Sequence, residues 1–201
     1  MINYIENEST DCFYNLALEE YVLTHFCQDD WLLLWQNDNT IVIGCNQNTE
    51  EEINKQYVEA HNINIVRRNT GGGAVYHDLG NLNFSFIGDI STDYTNYDLL
   101  KKFSEPLVNV LNSLGVPAIV AGKNDILVEG KKISGLAQRI YNHRILHHGT
   151  LLFDSDLNSL FAALKNNSKR INSHSVKSVK KNVCNIRSYI NKDISLESFK
   201  K

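Results

Sequence analysis

The sequence predicts an α+β domain, and three observations carry that reading. Two long amphipathic patterns, over residues 11–26 and 97–114, have helical period. Short runs have strand period: Ile63, Ile65 and Val66 are β-branched, and Leu82, Phe84 and Phe86 alternate with Asn83 and Ser85. Tight polar turns such as Glu129-Gly130-Lys131 join neighbouring strands, as antiparallel pairing allows. A chain of 201 residues, 42 % hydrophobic, suits one domain with a sizeable core, and two prolines and no low-complexity tract leave no evident linker.

The first helix has Thr10 as its expected N-cap and Asp11 at its positive end. Phe13, Leu16, Ala17 and Tyr21 form its stripe, widened by Leu18, Val22 and Phe26. The apolar run 31–35, a turn at Asn37, Asp38 and Asn39, and a return strand 41–44 read as a hairpin. It buries Trp31 and Trp35 or sets one at a pocket wall. Thr49 is the expected N-cap of a further helix, with Glu50, Glu51 and Glu52 in its first turn.

Strand 63–66 leads into Arg67 and Arg68, whose side chains must point opposite ways, so one can enter a cleft. Gly71, Gly72 and Gly73 follow. Without Cβ atoms the backbone there can reach φ > 0 and approach a ligand closely. N–H groups of such a turn beside an arginine suit an anion. Neither a Gly-Lys-Ser/Thr ending nor Gly-x-Gly-x-x-Gly spacing is present, and a half-buried strand over 82–86 follows instead of a helix. From residue types alone, a sharp hairpin with structural glycines fits as well.

In the second helix Leu100, Phe103, Leu107, Val110, Leu111 and Leu114 share one side, and Gly115 suits the C′ position. Pro106 predicts a kink, or a new helix from about Ser104. Residues 116–120 read as a strand, 122–125 as a polar turn, 126–128 and 132–135 as paired strands, and 144–153 as a strand. His147 and His148 fall on opposite faces of the last of these and cannot easily chelate one ion. One of them suits a pocket wall or a hydrogen-bond donor. Asp156 caps a helix over 157–164, and 190–201 reads as the start of another.

Net charge is −3, which gives no overall pull toward nucleic acid. Charge is uneven: residues 165–201 hold 10 Lys/Arg against 2 Asp/Glu, either a solvated tail or a docking surface for an acidic partner protein. Cys12, Cys27, Cys45 and Cys184 are scattered, without a C-x-x-C pair. That argues against a disulfide framework or zinc site and fits a reducing cytoplasm. No apolar run is of membrane length.

Three blocks resemble one family. Arg67-Arg68-Asn69-Thr70-Gly71-Gly72-Gly73-Ala74-Val75-Tyr76-His77-Asp78, with Gly80-Asn81, is similar to the signature of lipoate–protein ligases. Gly122-Lys123-Asn124-Asp125-Ile126 through Lys132-Ile133-Ser134-Gly135 resembles their catalytic-lysine segment, and His147-His148-Gly149-Thr150-Leu151 the strand behind it. Asn15-Leu16-Ala17-Leu18-Glu19-Glu20 resembles their first helix, and residues 178–186 their Ser-x-Arg-Ser-Arg-Val-x-Asn segment. Where the family usually has arginine, this chain has Cys45 and Lys123.

The resemblance implies the catalytic-domain fold shared by biotin and lipoate ligases, a mixed, largely antiparallel sheet with packed helices. It implies that residues 1–201 are a C-terminally truncated catalytic domain without the accessory domain, or half of a two-part system whose C-terminal part is a separate chain. The implied reaction is ATP-dependent: lipoate becomes lipoyl-adenylate, then passes to a lysine of E2 subunits of 2-oxoacid dehydrogenases or of the glycine cleavage H protein. Lys132 is the implied catalytic residue, touching acyl carbonyl and phosphate, while Lys131 points away. The implied ligand-binding residues are Arg68, Thr70, Gly71, Gly72, Gly73, Ala74, Val75, Tyr76, His77 and Asn81, then Asn124, Asp125, Ser134 and Gly135, then His148, Gly149 and Thr150. Asp125 either holds Mg2+ or orders its loop. Arg68 and Lys132 would bridge carboxylate and triphosphate, and Trp35, Val75 and Tyr76 would wall an acyl slot. Two alternatives stay open: an ATP-independent octanoyl or lipoyl transferase with Cys184 as nucleophile, and a non-catalytic fragment that binds acyl ligand or adenylate.

Overall fold

The structure, a computed structural model, describes residues 1–90, 95–122, 124–165, 182–190 and 193–201. Strand β1 (Ile2–Glu6) precedes helix α1 (Cys12–His25), then β2 (Asp30–Trp35), β3 (Thr40–Ile43) and two short helices, α2 (Thr49–Glu52) and α3 (Lys55–Ala60). Next come β4 (Asn64–Arg67), β5 (Val75–His77), β6 (Asn81–Asp89), helix α4 (Asn96–Ser113), β7 (Ala118–Ala121), β8 (Asp125–Val128), β9 (Lys131–Tyr141) and β10 (Arg144–Leu152). Helix α5 (Leu157–Ala163), a 3-10 turn (Ile186–Tyr189) and α6 (Leu196–Lys200) complete the order.

A seven-stranded sheet runs β1-β2-β6-β10-β9-β8-β7, and a three-stranded sheet runs β4-β3-β5. Among the named strands only β1–β2 and β3–β4 pair in parallel, so the sheets are mixed and largely antiparallel, as expected. Helix α4 covers one face of the large sheet, where Leu100 and Leu111 join Leu136, Leu151 and Val128 in one buried cluster. Helix α1 covers the other through Val22 and Leu23 against Leu33, Ile87 and Leu146. The small sheet packs Ile41, Ile43 and Tyr76 on Ile53, Val58 and Ala163.

Several expectations need correction. Strands β2 and β3 do not form a hairpin, because each belongs to a different sheet. The connection between them is held instead by Asn37, fully buried, whose side chain binds those of Asn15 and His77. Trp35 is buried and Trp31 half-buried. The N-cap of α1 is Asp11, not Thr10, and that of α2 is Asn48, not Thr49. Phe13 and Tyr21 face solvent, and the buried face of α1 is Cys12, Asn15, Glu19, Val22 and Leu23. Strand β6 is buried on both faces: Ser85 bonds Glu19 of α1 and Trp35, and Asn83 bonds Asn81 and His77. Helix α4 is one element through Pro106, with Val110 and Leu114 exposed rather than in the core. Of the basic segment 165–201, residues 166–181 and 191–192 lie outside the described residues.

Candidate functional site

The long loop between β4 and β5 is organised from below by Arg68. Its guanidinium donates to the carbonyls of Val42 (3.1 Å), Gly71 (2.6 Å) and Gly73 (2.8 Å) and to Thr70 Oγ1 (3.0 Å). Three inward carbonyls turn the loop around one buried cation. Burial lowers the Arg68 pKa to about 10, against the nearby acidic groups, so it remains charged at neutral pH. Arg68 borders the cavity and spends its Nε and Nη2 donors on the loop and one Nη1 donor on Val42 of β3, so it braces the loop. Arg67 points the other way, to Gly44 O, Gln47 O and Thr49 Oγ1. Gly72 has φ +93°, and a Cβ on Gly44 would stand 2.3 Å from Gly72 O, so both glycines are needed for this close approach.

Lys132 is placed by a bulge. The β8–β9 register runs Asp125↔Gly135 and Ile126↔Ser134, then Leu127↔Lys132, which leaves Ile133 as the extra residue. This shift brings Lys132 Nζ to 3.0 Å from Asp125 Oδ1. The hairpin turn is Glu129-Gly130, both at positive φ. The backbone of Lys132 is clamped as well: its N–H donates to Asn182 O (2.7 Å) and its carbonyl accepts from Cys184 N–H (3.0 Å).

A cavity of about 230 Å3 lies between this hairpin, the glycine loop and α1. Lys132, Asn124, Gly135, Gly149 and Thr150 line one part. Leu16, Trp35, Val42, Val75, Leu136 and Ala137 give it apolar walls, while Gly72, Gly73, Ala74, Arg68, His77, Asn83 and His148 complete it. The remaining expected site residues lie behind this lining. Thr70 and Gly71 hold Arg68. Asn81 donates to Asn83 Oδ1 (2.9 Å), Asp125 holds Lys132, and Ser134 is fully buried on the far side of the bulge. Tyr76 does not wall the cavity: strand alternation turns it into the small-sheet cluster, and its hydroxyl donates to Asn39 Oδ1.

A buried chain ties the loop to α1. Arg68 Nε donates to Thr70 Oγ1, which lies 2.8 Å from His148 Nε2. His148 Nδ1 lies 2.8 Å from Glu19 Oε1, which also accepts from Ser85 Oγ (2.5 Å), and Trp35 Nε1 donates to Ser85 Oγ (2.9 Å). The Glu19 carboxylate makes His148 Nδ1 a donor. The sequence reading missed Glu19, Asn83, Leu16 and Val42; the only signal for Glu19 was its place in the Asn-Leu-Ala-Leu-Glu-Glu block. His147, on the other face as expected, packs on Phe103 beneath α4, and burial lowers its pKa to about 3.

Cys184 is half-buried against the main core, and burial pushes its thiol up, which disfavours a thiolate. All four cysteines are free. Asp125 is a single carboxylate, and among the described residues no group of three or more His, Cys, Asp or Glu could hold a metal ion. Among the described residues no helix is long and apolar enough to cross a membrane. Lys123 lies outside the described residues.

Comparison with known proteins finds one family. A family model described as the lipoyl protein ligase A/B catalytic domain matches residues 11–201. Lipoate–protein ligase 1 of Staphylococcus aureus is 48 % identical over 196 residues, which is 97 % of this chain and 59 % of the relative. A lipoate protein ligase structure from T. acidophilum with bound lipoic acid superposes with TM-score 0.84 at 30 % identity, covering 98 % of this chain and 80 % of that one. Lipoate-protein ligase A bound with ATP superposes with TM-score 0.81 at 30 % identity, covering 100 % and 78 %. The chain spans about three-fifths of the length of the curated relatives it matches. It belongs to the lipoyl protein ligase A/B catalytic-domain family.

Proposed function

We propose that this chain is the catalytic part of an ATP-dependent lipoate–protein ligase. One observation carries the reading: Lys132, held by Asp125 at 3.0 Å, is the one ammonium among the described residues that line a cavity with apolar walls. That pairing suits the carboxylate of an apolar acid. The likeness to a structure holding lipoic acid and to one holding ATP supports both substrates.

In the first step a lipoate oxygen attacks the α-phosphorus of ATP, a C–O–P linkage forms and pyrophosphate leaves. The two reactants repel, so the protein's task is to position them and neutralise charge. Lys132 contacts the acyl oxygen and the α-phosphate as charge moves between them. Gly72 and Gly73 line the cavity in a loop whose carbonyls Arg68 turns inward, and so bring backbone close to the same anions. Mg2+ bound with the triphosphate would offset phosphate charge, with Asp125 as the one carboxylate placed to join it. In the second step the amine of an acceptor lysine attacks the acyl carbonyl, AMP leaves, and an amide remains. The acceptors are lipoyl domains of E2 subunits or the glycine cleavage H protein.

The test is lipoylation of an apo acceptor domain with and without ATP, in parent and Cys184→Ala chains. The ligase reading expects product only with ATP and in both chains. ATP-free transfer from an octanoylated carrier that Cys184→Ala abolishes would replace it with the transferase reading.

A further inference from the structure

Lys132 stands where β9 has lost a neighbour. Strand β10 pairs with β9 from Arg144↔Tyr141 to Gly149↔Leu136 and then leaves it. Past that point a segment from much later in the chain takes the place of β10. Val183 forms a parallel bridge with Lys132, Asn182 O accepts the Lys132 N–H (2.7 Å), and Cys184 N–H donates to the Lys132 carbonyl (3.0 Å). Both backbone hydrogen-bonding groups of Lys132 are thus spent on this strap, residues 182–184.

The strap is fastened by the residue that follows it. Asn185 Oδ1 accepts from Ser155 N–H (3.1 Å), and Asn185 Nδ2 donates to Ser155 O (2.9 Å). A primary amide carries donor and acceptor on one planar group and closes both bonds at once. Ile186, fully buried in the main core, and Arg187 N–H on Phe153 O (2.9 Å) continue the seam. The Tyr189 hydroxyl donates to Glu129 Oε2 (3.3 Å) in the β8–β9 turn, so this segment holds the lysine hairpin at a second point.

Ser155 is itself held from the opposite side of the cavity. The N–H groups of Phe153 and Asp154 donate to Gly80 O (3.2 and 2.9 Å), and Asp156 N–H donates to Asp78 Oδ2 (2.6 Å). A Cβ on Gly80 would stand 2.1 Å from Asp154 O, so the two turns touch backbone to backbone. Asp78 and Gly80 lie in the turn from β5 to β6, and β5 is the strand into which the glycine loop runs. The Asn185 amide therefore joins the lysine hairpin to the glycine-loop side, behind the cavity and outside its lining.

We propose that Asn185 is a positioning residue for Lys132: its amide sets the strap in register, the strap holds the Lys132 backbone, and the ammonium is thereby placed against the glycine loop. The inference rests on the reading of Lys132 given above and adds a residue outside the cavity. Loss of the clasp leaves the cavity lining in place, so it costs rate rather than affinity, because adenylation depends on a charge already in position.

The experiment compares the full chain, 15N-labelled, with its Asn185→Leu and Asn185→Asp variants. Native-state amide exchange reads the strap directly, since the bond to Asn182 O protects the Lys132 N–H. In Asn185→Leu the Lys132 and Cys184 amides should exchange about tenfold faster or more, while those of Leu23 and Ile145 in the core keep their protection. Lipoate-dependent pyrophosphate exchange should fall about tenfold or more in kcat, with KM for lipoate and ATP nearly unchanged. Asn185→Asp adds a pH readout. A protonated carboxyl offers the amide's donor and acceptor pair, whereas an ionised one only accepts. Lys132 protection in this variant, taken relative to the parent at the same pH, should recover as pH falls toward about 4, and in Asn185→Leu it should not. Unchanged Lys132 exchange in Asn185→Leu overturns the proposal. So does faster exchange that spreads equally to Leu23 and Ile145, which would make Asn185 a general stabiliser, and so does a raised KM at constant kcat. If Asn185→Leu does not fold, the pH dependence of Asn185→Asp decides, and absence of recovery refutes the clasp. A parent chain that exchanges no pyrophosphate sinks the ligase reading, and the amide signals still decide whether Asn185 sets Lys132.

Discussion

Gly135 lies directly beneath the ammonium of Lys132, where an added Cβ would stand 2.8 Å from Nζ and 3.1 Å from Cε. The bulge at Ile133 creates this relationship; a regular strand would put Ser134 on the face of Lys132. The obstacle to a side chain at 135 is thus the far end of a flexible lysine, not backbone. Gly135→Ala is expected to leave the urea midpoint nearly unchanged and to slow adenylation about tenfold or more, since displacing a positioned charge costs transition-state stabilisation. Equal adenylation by parent and variant would show that the ammonium position does not matter.

Arg68 gives a prediction of the opposite kind. Its fork satisfies three carbonyls and a hydroxyl in a site where water is excluded. A lysine cannot reproduce that fork. Arg68→Lys is expected to cost about 3 kcal/mol of stability, because buried acceptors lose their donor. Urea denaturation checks it. An unshifted midpoint with lost adenylation would return Arg68 to the role of a bridge between substrates.

The acid limb of stability follows from His77 and His147. Burial holds both near pKa 3, helped by Arg68 and His148 for His77 and by His148 for His147. In the unfolded chain each titrates near 6.5. The unfolded state therefore binds more protons below that value. The stabilisation is complete above about pH 6.5 and is lost as pH falls toward 3, at about 1.4 kcal/mol per unit per histidine. His147 touches no part of the cavity, so His147→Phe should flatten the slope between pH 6 and 4 by about that amount. Parallel parent and variant stability curves would contradict the buried neutral state.

Much of this fold was legible because it follows from local periodicity. Both long helices, the Glu129-Gly130 hairpin and the strand holding His147 and His148 lie where apolar spacing and turn residues put them. The β2–β3 connection was not legible, because Asn37 looks like a turn residue and only the assembled core shows it bonded to Asn15 and His77. The site divides the same way. The glycine loop and Lys132 stand out by residue type and spacing. Glu19 and Asn83 do not, since a carboxylate on a helix and an amide on a strand read as solvent-facing until α1 packs on the sheet.

The central claim is that Lys132 promotes attack of an apolar carboxylate on ATP in this chain. It is tested most directly by lipoate-dependent exchange of labelled pyrophosphate into ATP, in parent, Lys131→Ala and Lys132→Ala chains. Lys131 does not line the cavity and contributes no contact there. The account predicts exchange by the parent, little change in Lys131→Ala, and a loss of about a hundredfold or more in Lys132→Ala, the effect of one preorganised charge contact worth on the order of 3 kcal/mol. Exchange that is absent from the folded parent, or equally affected by the two substitutions, would contradict it.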